Sequence, residues 1–243
     1  GAPVTRIRSL ELHMLATPVV RTFRTSFGES TEKVCILARV ETDDAVGWGE
    51  CVSDVEPSFS EEWNEGAWLM MRDLLAPALF AAGDVEAELV ASVLSFVRGH
   101  PMAKATLVNA VLDAELRAQG RSLASYLGAV RDRVECGVSV GIAPSTDVLL
   151  EQVAGYLAEG YRRIKLKIEP GTDVERVGAV REANPEILLS VDANAAYRLA
   201  DVDVFKQLDA FGLLMIEQPL HHEDVWEHSL LQREIRTDIC LDE

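Results

Sequence analysis

From about residue 134 onward the chain alternates strand-length apolar runs with helix-length segments, and this alternation limits its possible folds more than any other feature. Runs rich in apolar or β-prone residues occupy 135–140, 163–168, 187–191, 213–216 and 239–241. Helix-length segments fill the gaps at 147–159, 173–182, 201–208 and 224–235, and each opens near an Asp, which suits a helix N-terminus. Repeated strand–helix units imply a parallel sheet, because parallel strands need long crossovers while antiparallel ones close through short turns. The solutions are a doubly wound sheet or a (β/α) barrel.

Residues 1–133 keep a different rhythm. Leu10, Leu12 and Met14 alternate with Ser9, Glu11 and His13, a half-buried strand pattern. Residues 33–42 read as a second strand with Val34, Ile36, Ala38 and Val40 on one face, and 46–50 as its return after the Asp43-Asp44 turn. Helical patterns follow at 61–80, at 84–98 with Asp84 as N-cap, and at 102–119, where Gly120 ends the run. Trp63, Trp68, Met70 and Met71 are expected in core or subunit contacts. The fold class is therefore α/β overall, with an α+β domain over 1–133 and a strand–helix domain over 134–243.

The balance of 23 basic and 40 acidic residues sets a net charge of −17 over 243 residues. That excess argues against nucleic acid as a partner, since phosphate binding needs clustered Lys and Arg, and against an anionic membrane surface. No apolar run approaches the roughly 18 residues that span a bilayer. The N-terminus shows no signal-peptide pattern. The four cysteines (Cys35, Cys51, Cys136, Cys240) are far apart in or beside apolar runs and are expected to be buried free thiols. The expected compartment is the cytoplasm, and a homo-oligomer is the expected assembly.

Chemistry gathers where strands end. Lys165 and Lys167 share one face of a strand, with Leu166 on the other. Lys167, Asp192, Glu217 and Asp242 then recur every 25 residues, one strand–helix repeat each. In a (β/α) barrel these positions meet at the C-terminal face of the sheet, where active sites sit. A Lys-x-Lys pair alone is usually a solvated strand face, and an Asp after a strand is usually a cap. Independent caps have no reason to share one register with a lysine. Three carboxylates without Cys or His describe an oxygen-only site that suits Mg²⁺. Beside such a cation, Lys167 could act as a base near neutral pH.

These segments resemble a known motif series. Lys165-Leu166-Lys167-Ile168, Val191-Asp192-Ala193-Asn194, Ile216-Glu217-Gln218-Pro219-Leu220 and Ile239-Cys240-Leu241-Asp242-Glu243 are similar to those of the enolase superfamily. Within it the chain most resembles the muconate lactonizing subgroup, and there the o-succinylbenzoate synthases and N-acylamino acid racemases. Arg24-Thr25-Ser26-Phe27-Gly28 resembles the substrate-capping loop of that group, and Gly47-Trp48-Gly49-Glu50-Cys51 the approach to its second capping loop.

The resemblance implies an α+β capping domain followed by a (β/α)7β TIM-like barrel, of which about five strands lie within these residues. It implies Mg²⁺, with Mn²⁺ or Co²⁺ as substitutes, held by Asp192, Glu217 and Asp242. It implies that Lys167 removes the proton α to a substrate carboxylate while Lys165 tunes it. Phe23, Ser26, Ser139 and Asn194 are substrate contacts by the same resemblance, and the 51–60 loop closes over the substrate together with Phe23 and Ser26.

The implied activity is o-succinylbenzoate synthesis, a dehydration in menaquinone biosynthesis, accompanied by N-succinylamino acid racemisation. An N-acylamino acid racemase, a dipeptide epimerase or a muconate cycloisomerase is the alternative, and a catalytically silent binding or scaffold protein is the non-enzyme rival. The family's second lysine, on the sixth strand, has no counterpart in these residues, so the expectation is a chain that belongs to a longer protein. His221-His222 lacks the spacing of a zinc motif and is expected in a solvated loop. No nucleotide-binding glycine pattern occurs.

Overall fold

A computed structural model describes residues 5–25 and 28–243, with 21–25 and 28–30 as backbone only. The chain forms two compact units, Gly1–Val19 with Glu32–Asp132, and Val20–Thr31 with Arg133–Glu243.

The α+β part carries a sheet of order β3-β2-β1-β4. Its strands are β1 (Thr5–Thr25), β2 (Gly28–Thr42), β3 (Val46–Cys51) and β4 (Asp84–Val85). The predicted alternation holds on β2, where Ile36, Ala38 and Val40 are fully buried. β3 returns antiparallel, pairing Ile36 with Cys51 through Glu41 with Val46. Asp84 corrects the sequence reading. It does not cap a helix but pairs with Arg6 in the two-residue strand β4, and the helix begins later as α3 (Ala87–Val93).

The segment expected as one helix over 61–80 is α1 (Asn64–Met70), a π-turn (Met71–Leu75) and α2 (Ala76–Ala82) in continuous succession. The wide turn, in which Ala76 N–H bonds Met71 O, carries the helix up to Pro77, which has no N–H to give. Met71 is fully buried, whereas Trp63 stands at the surface.

Helix α4 (Pro101–Ala118) lies directly on β3. Gly47 and Gly49 permit this approach: a Cβ at Gly49 would stand 1.9 Å from Thr106 O, and one at Gly47 2.2 Å from Ala110 O. The Glu62 carboxylate accepts the Met102 and Ala103 N–H groups at the start of α4 (2.6 and 3.0 Å). A short helix, α5 (Leu123–Tyr126), follows.

The second part follows the expected alternation. Strands β5 (Gly137–Val140), β6 (Arg163–Lys167), β7 (Leu188–Asp192), β8 (Ile216–Glu217) and β9 (Ile239–Cys240) form one parallel sheet in consecutive order. Between them run α6 (Thr146–Ala158), α7 (Asp173–Ala183), α8 (Val202–Asp209) and α9 (Val225–Gln232). Asp224 caps α9 through Glu227 N–H, whereas α6 is capped by Ser145 rather than by Asp147.

One sheet face is apolar. Ile164, Leu166, Leu189, Val191 and Ile216 pack with Leu149, Val153, Val177, Val180, Phe205, Leu208 and Leu231 of the helices. Side-chain alternation then forces the intervening residues onto the opposite face. No helix among the described residues is long and apolar enough to cross a membrane. The thiols are free, but only Cys35 and Cys51 are buried; Cys136 is exposed and Cys240 half-buried, which corrects the expectation of four buried thiols.

Candidate active site

The parallel register builds the site. Lys165 lies opposite Ser139 on β5 and Ser190 on β7. One step further along, Lys167 pairs with Asp192, Asp192 with Glu217, and Glu217 with Cys240. Two successive cross-strand layers therefore carry the polar residues. The 25-residue spacing returns the chain to the same level from Lys167 to Asp192 and from Asp192 to Glu217. Asp242 instead falls two residues past the level of Glu217, which Cys240 holds, and so leaves the ring the sequence predicts.

The charged groups are in direct contact. Lys167 Nζ donates to Asp192 Oδ2 (2.7 Å) and to Asn194 Oδ1 (2.6 Å). Lys165 Nζ donates to both Glu217 oxygens (2.7 and 2.8 Å) and lies 3.1 Å from Asp192 Oδ2. Asp192 and Glu217 are almost wholly buried. Burial pushes the Asp192 carboxyl up, but the Lys167 and Lys165 ammonium groups outweigh it and hold the carboxyl below its ordinary value. Glu217 moves the other way, because burial and the neighbouring charges of Asp192 and Asp242 together exceed the help from Lys165. Burial lowers Lys165, yet its hydrogen bonds to Glu217 and Asp192 leave it above the usual lysine value.

The loops after β7, β8 and β9 close this face. Asn194 is buried with φ +42°, donates its N–H to Asp192 Oδ1 (3.1 Å) and its Nδ2 to Glu243 Oε1 (3.1 Å). Asp242 N–H is held by Gln218 Oε1 at 2.8 Å, with its carboxylate exposed. Ser139 Oγ is buried without a hydrogen bond among the described residues, as is the Oγ of Ser190. Lys165, Lys167, Asp192, Glu217 and Asn194 thus meet directly, and Asp242 joins through its charge and backbone. The Phe23 side chain and Ser26 lie outside the described residues.

Sequence reasoning missed Gln218, Ser190 and Glu243 as site residues. Ser190 had a signal, since it falls two residues before Asp192 on the same strand face.

The donor set fits a hard divalent cation. It is oxygen-only, and Asp192, Glu217, Asp242 and Glu243 face two ammonium groups, an excess of two negative charges. The oxygens of Asp192, Glu217 and Asp242 do not all lie within 4.8 Å of one another. Lys165 Nζ stands between Asp192 (3.1 Å) and Glu217 (2.7 Å). Among the described residues the one group that close is His221, His222 and Glu223, all exposed, with His221 Nδ1 already accepting Glu223 N–H (3.3 Å). These two histidines occupy a solvated loop, as expected.

A parallel (β/α) sheet with lysines and carboxylates at its C-terminal face has the layout of a (β/α) barrel active site. Residues 148–243 match the family model described as enolase C-terminal domain-like. The chain is 53% identical over 239 residues to the N-succinylamino acid racemase of Amycolatopsis sp, covering 98% of this chain and 65% of the racemase. It is 42% identical over 238 residues to the o-succinylbenzoate synthase of Geobacillus stearothermophilus, covering 98% of this chain and 62% of the synthase. The chain therefore spans less than two thirds of the length of these relatives. An enolase superfamily member from Listeria innocua superposes with a TM-score of 0.93 at 35% identity, over 98% of this chain and 65% of that one. The sheet is thus the five-strand portion of a TIM-like barrel, preceded by the α+β fold of a capping domain.

Proposed function

We propose that the whole protein is a Mg²⁺-dependent enzyme that removes the proton α to a substrate carboxylate, working as an o-succinylbenzoate synthase. The single observation that carries this reading is the Lys167 ammonium, anchored between Asp192 and Asn194 in one layer with Glu217. Asp192, Glu217 and Asp242 would hold Mg²⁺. When bound, the ion supplies positive charge that stabilises an enediolate as it develops on the substrate carboxylate. Enolase-superfamily sites use this pairing of a lysine or histidine base with Mg²⁺.

The protein's own groups do the rest. Lys167 accepts the α-proton at Nζ, which requires the neutral amine. Asp192 and Asn194 fix where Nζ stands. Lys165 is held by Glu217 and Asp192, with its ammonium on the same strand face as Lys167. Return of the α-proton from Lys167 Nζ to the departing substrate hydroxyl as its C–O bond breaks releases water, forms the double bond and completes the dehydration. Return of a proton to the opposite face gives racemisation instead, so N-succinylamino acid racemase is a coexisting activity, favoured by the 53% identity to the Amycolatopsis racemase. Ser139, Asn194, Phe23 and Ser26 are proposed substrate contacts.

The test is α-deuterium exchange of N-succinyl amino acids in D2O with Mg²⁺, alongside a dehydration assay. Lys167→Ala is expected to lower exchange by a factor of at least about 100, since positioned acid–base groups contribute about 10²–10⁴-fold, with Mg²⁺ still bound. Unchanged exchange removes Lys167 as the base.

A further inference from the structure

We propose that Gln218 is a positioning residue: its amide clamps the Asp242–Glu243 backbone and so sets two carboxylates against the Asp192–Glu217 pair. This rests on the reading of that pair as part of a cation site.

Gln218 is fully buried beside Glu217 and makes contacts in three directions. Its Oε1 accepts Asp242 N–H (2.8 Å) and Glu243 N–H (3.2 Å), using both lone pairs. Its Nε2 donates to Leu220 O (3.1 Å), which fixes which way the amide faces. Its backbone N–H donates to Cys240 O and its carbonyl accepts Ala195 N–H, each at 2.8 Å. One residue thereby ties together the loops after β7, β8 and β9. Its φ of +38° is a left-handed conformation that a residue with a Cβ adopts only when its surroundings demand it.

The clamp reaches both halves of the chemistry. Through Asp242 N–H it fixes the backbone that carries the third carboxylate of the proposed cation site. Through Glu243 it reaches Asn194, whose Nδ2 bonds Glu243 and whose Oδ1 receives Lys167 Nζ. Only an amide satisfies these partners. A carboxylate at this position would turn an oxygen toward Leu220 O and add a further negative charge beside Asp192 and Glu217. An apolar side chain would leave two buried-side N–H groups without their acceptor.

The experiment uses the full protein. With EDTA present, the amides of Asp242 and Glu243 are expected to exchange hydrogen at least about tenfold more slowly than a free chain, as hydrogen-bonded amides do; exchange at the free-chain rate overturns the clamp. Gln218→Met is expected to weaken Mg²⁺ binding in calorimetry by about 10–100-fold, the usual effect of losing an outer-shell partner. Its turnover should recover as Mg²⁺ is raised, which general structural damage would not allow. Mg²⁺ affinity within twofold of the unsubstituted protein overturns the proposal. If Gln218→Met fails to fold by circular dichroism, Gln218→Ala is titrated with the same expectation, and if both fail the amide exchange decides. Asp192→Asn is titrated in parallel. Unchanged Mg²⁺ affinity there sinks the cation site itself, whereas weakening there with no effect at Gln218 sinks the clamp alone.

Discussion

Asp209, the last residue of α8, accepts Arg236 N–H (3.0 Å), Thr237 N–H (2.7 Å), Thr237 Oγ1–H (2.7 Å) and Arg236 Nε–H (3.3 Å). It thus fixes the turn that leads into β9 and, two residues past that strand, Asp242. Burial pushes its carboxyl up, but the Thr237 and Arg236 donors outweigh burial and hold it below the ordinary value. A carboxyl lowered on folding stabilises above its unfolded pKa of about 3.9, and the contribution fades as pH falls through the folded value. Asp209→Asn is expected to cost about 1–3 kcal/mol near pH 7 in urea unfolding. The gap between the two proteins should close below about pH 3.9; a constant gap would mean that the charge contributes nothing. At this scale the sequence was uneven as a guide. Lys167, Asp192 and Glu217 were legible because their chemistry is carried by charge at a repeated interval. Gln218 was not, because an uncharged amide before proline shows nothing of the two N–H groups it will accept from 24 and 25 residues away.

In the α+β part strand β3 and helix α4 pack backbone against backbone, and the contact depends on two glycines. The burial alternation of β3 points Gly47, Gly49 and Cys51 at the helix, while Trp48 N–H reaches Asp113 Oδ2 (2.9 Å). Gly49→Ala would drive a methyl into the Thr106 carbonyl, so strand and helix must separate. The expected loss is about 1–3 kcal/mol or more, as for overpacked cores, read as a lower urea midpoint; an unchanged midpoint would show that the helix shifts freely. Long elements were legible in the sequence because period and length agree. The two-residue strands were not. β4 is too short to show any alternation, and its Asp84 offers the same signal as a helix cap. β8 is only Ile216–Glu217 and shares just Ile216 with the run expected over 213–216, since two ladder pairs with β7 suffice to place Glu217 beside Asp192.

Over these 243 residues taken together, the net charge of −17 has two parts with different remedies. Two of those negative charges are the local excess of Asp192, Glu217, Asp242 and Glu243 over Lys165 and Lys167. The remainder is spread over the surface, where pairs such as Arg72–Asp73 and Lys206–Glu234 are solvent-exposed and add little. Added salt screens both these weak attractions and the general repulsion, and with 40 acidic residues against 23 basic ones the repulsion is the larger quantity. The thermal midpoint of the full protein in EDTA is therefore expected to rise by about 2–4 °C between 10 mM and 0.3 M KCl, equivalent to about 1 kcal/mol. A midpoint that falls with salt would show that surface pairs dominate. Screening treats all carboxylates alike, whereas a cation site discriminates. At matched ionic strength, Mg²⁺ at 100 times its dissociation constant adds about 2.7 kcal/mol by mass action, so its midpoint should exceed that in KCl by several degrees. Equal midpoints would mean that the four clustered carboxylates bind no ion and that their excess charge is screened like the rest of the surface.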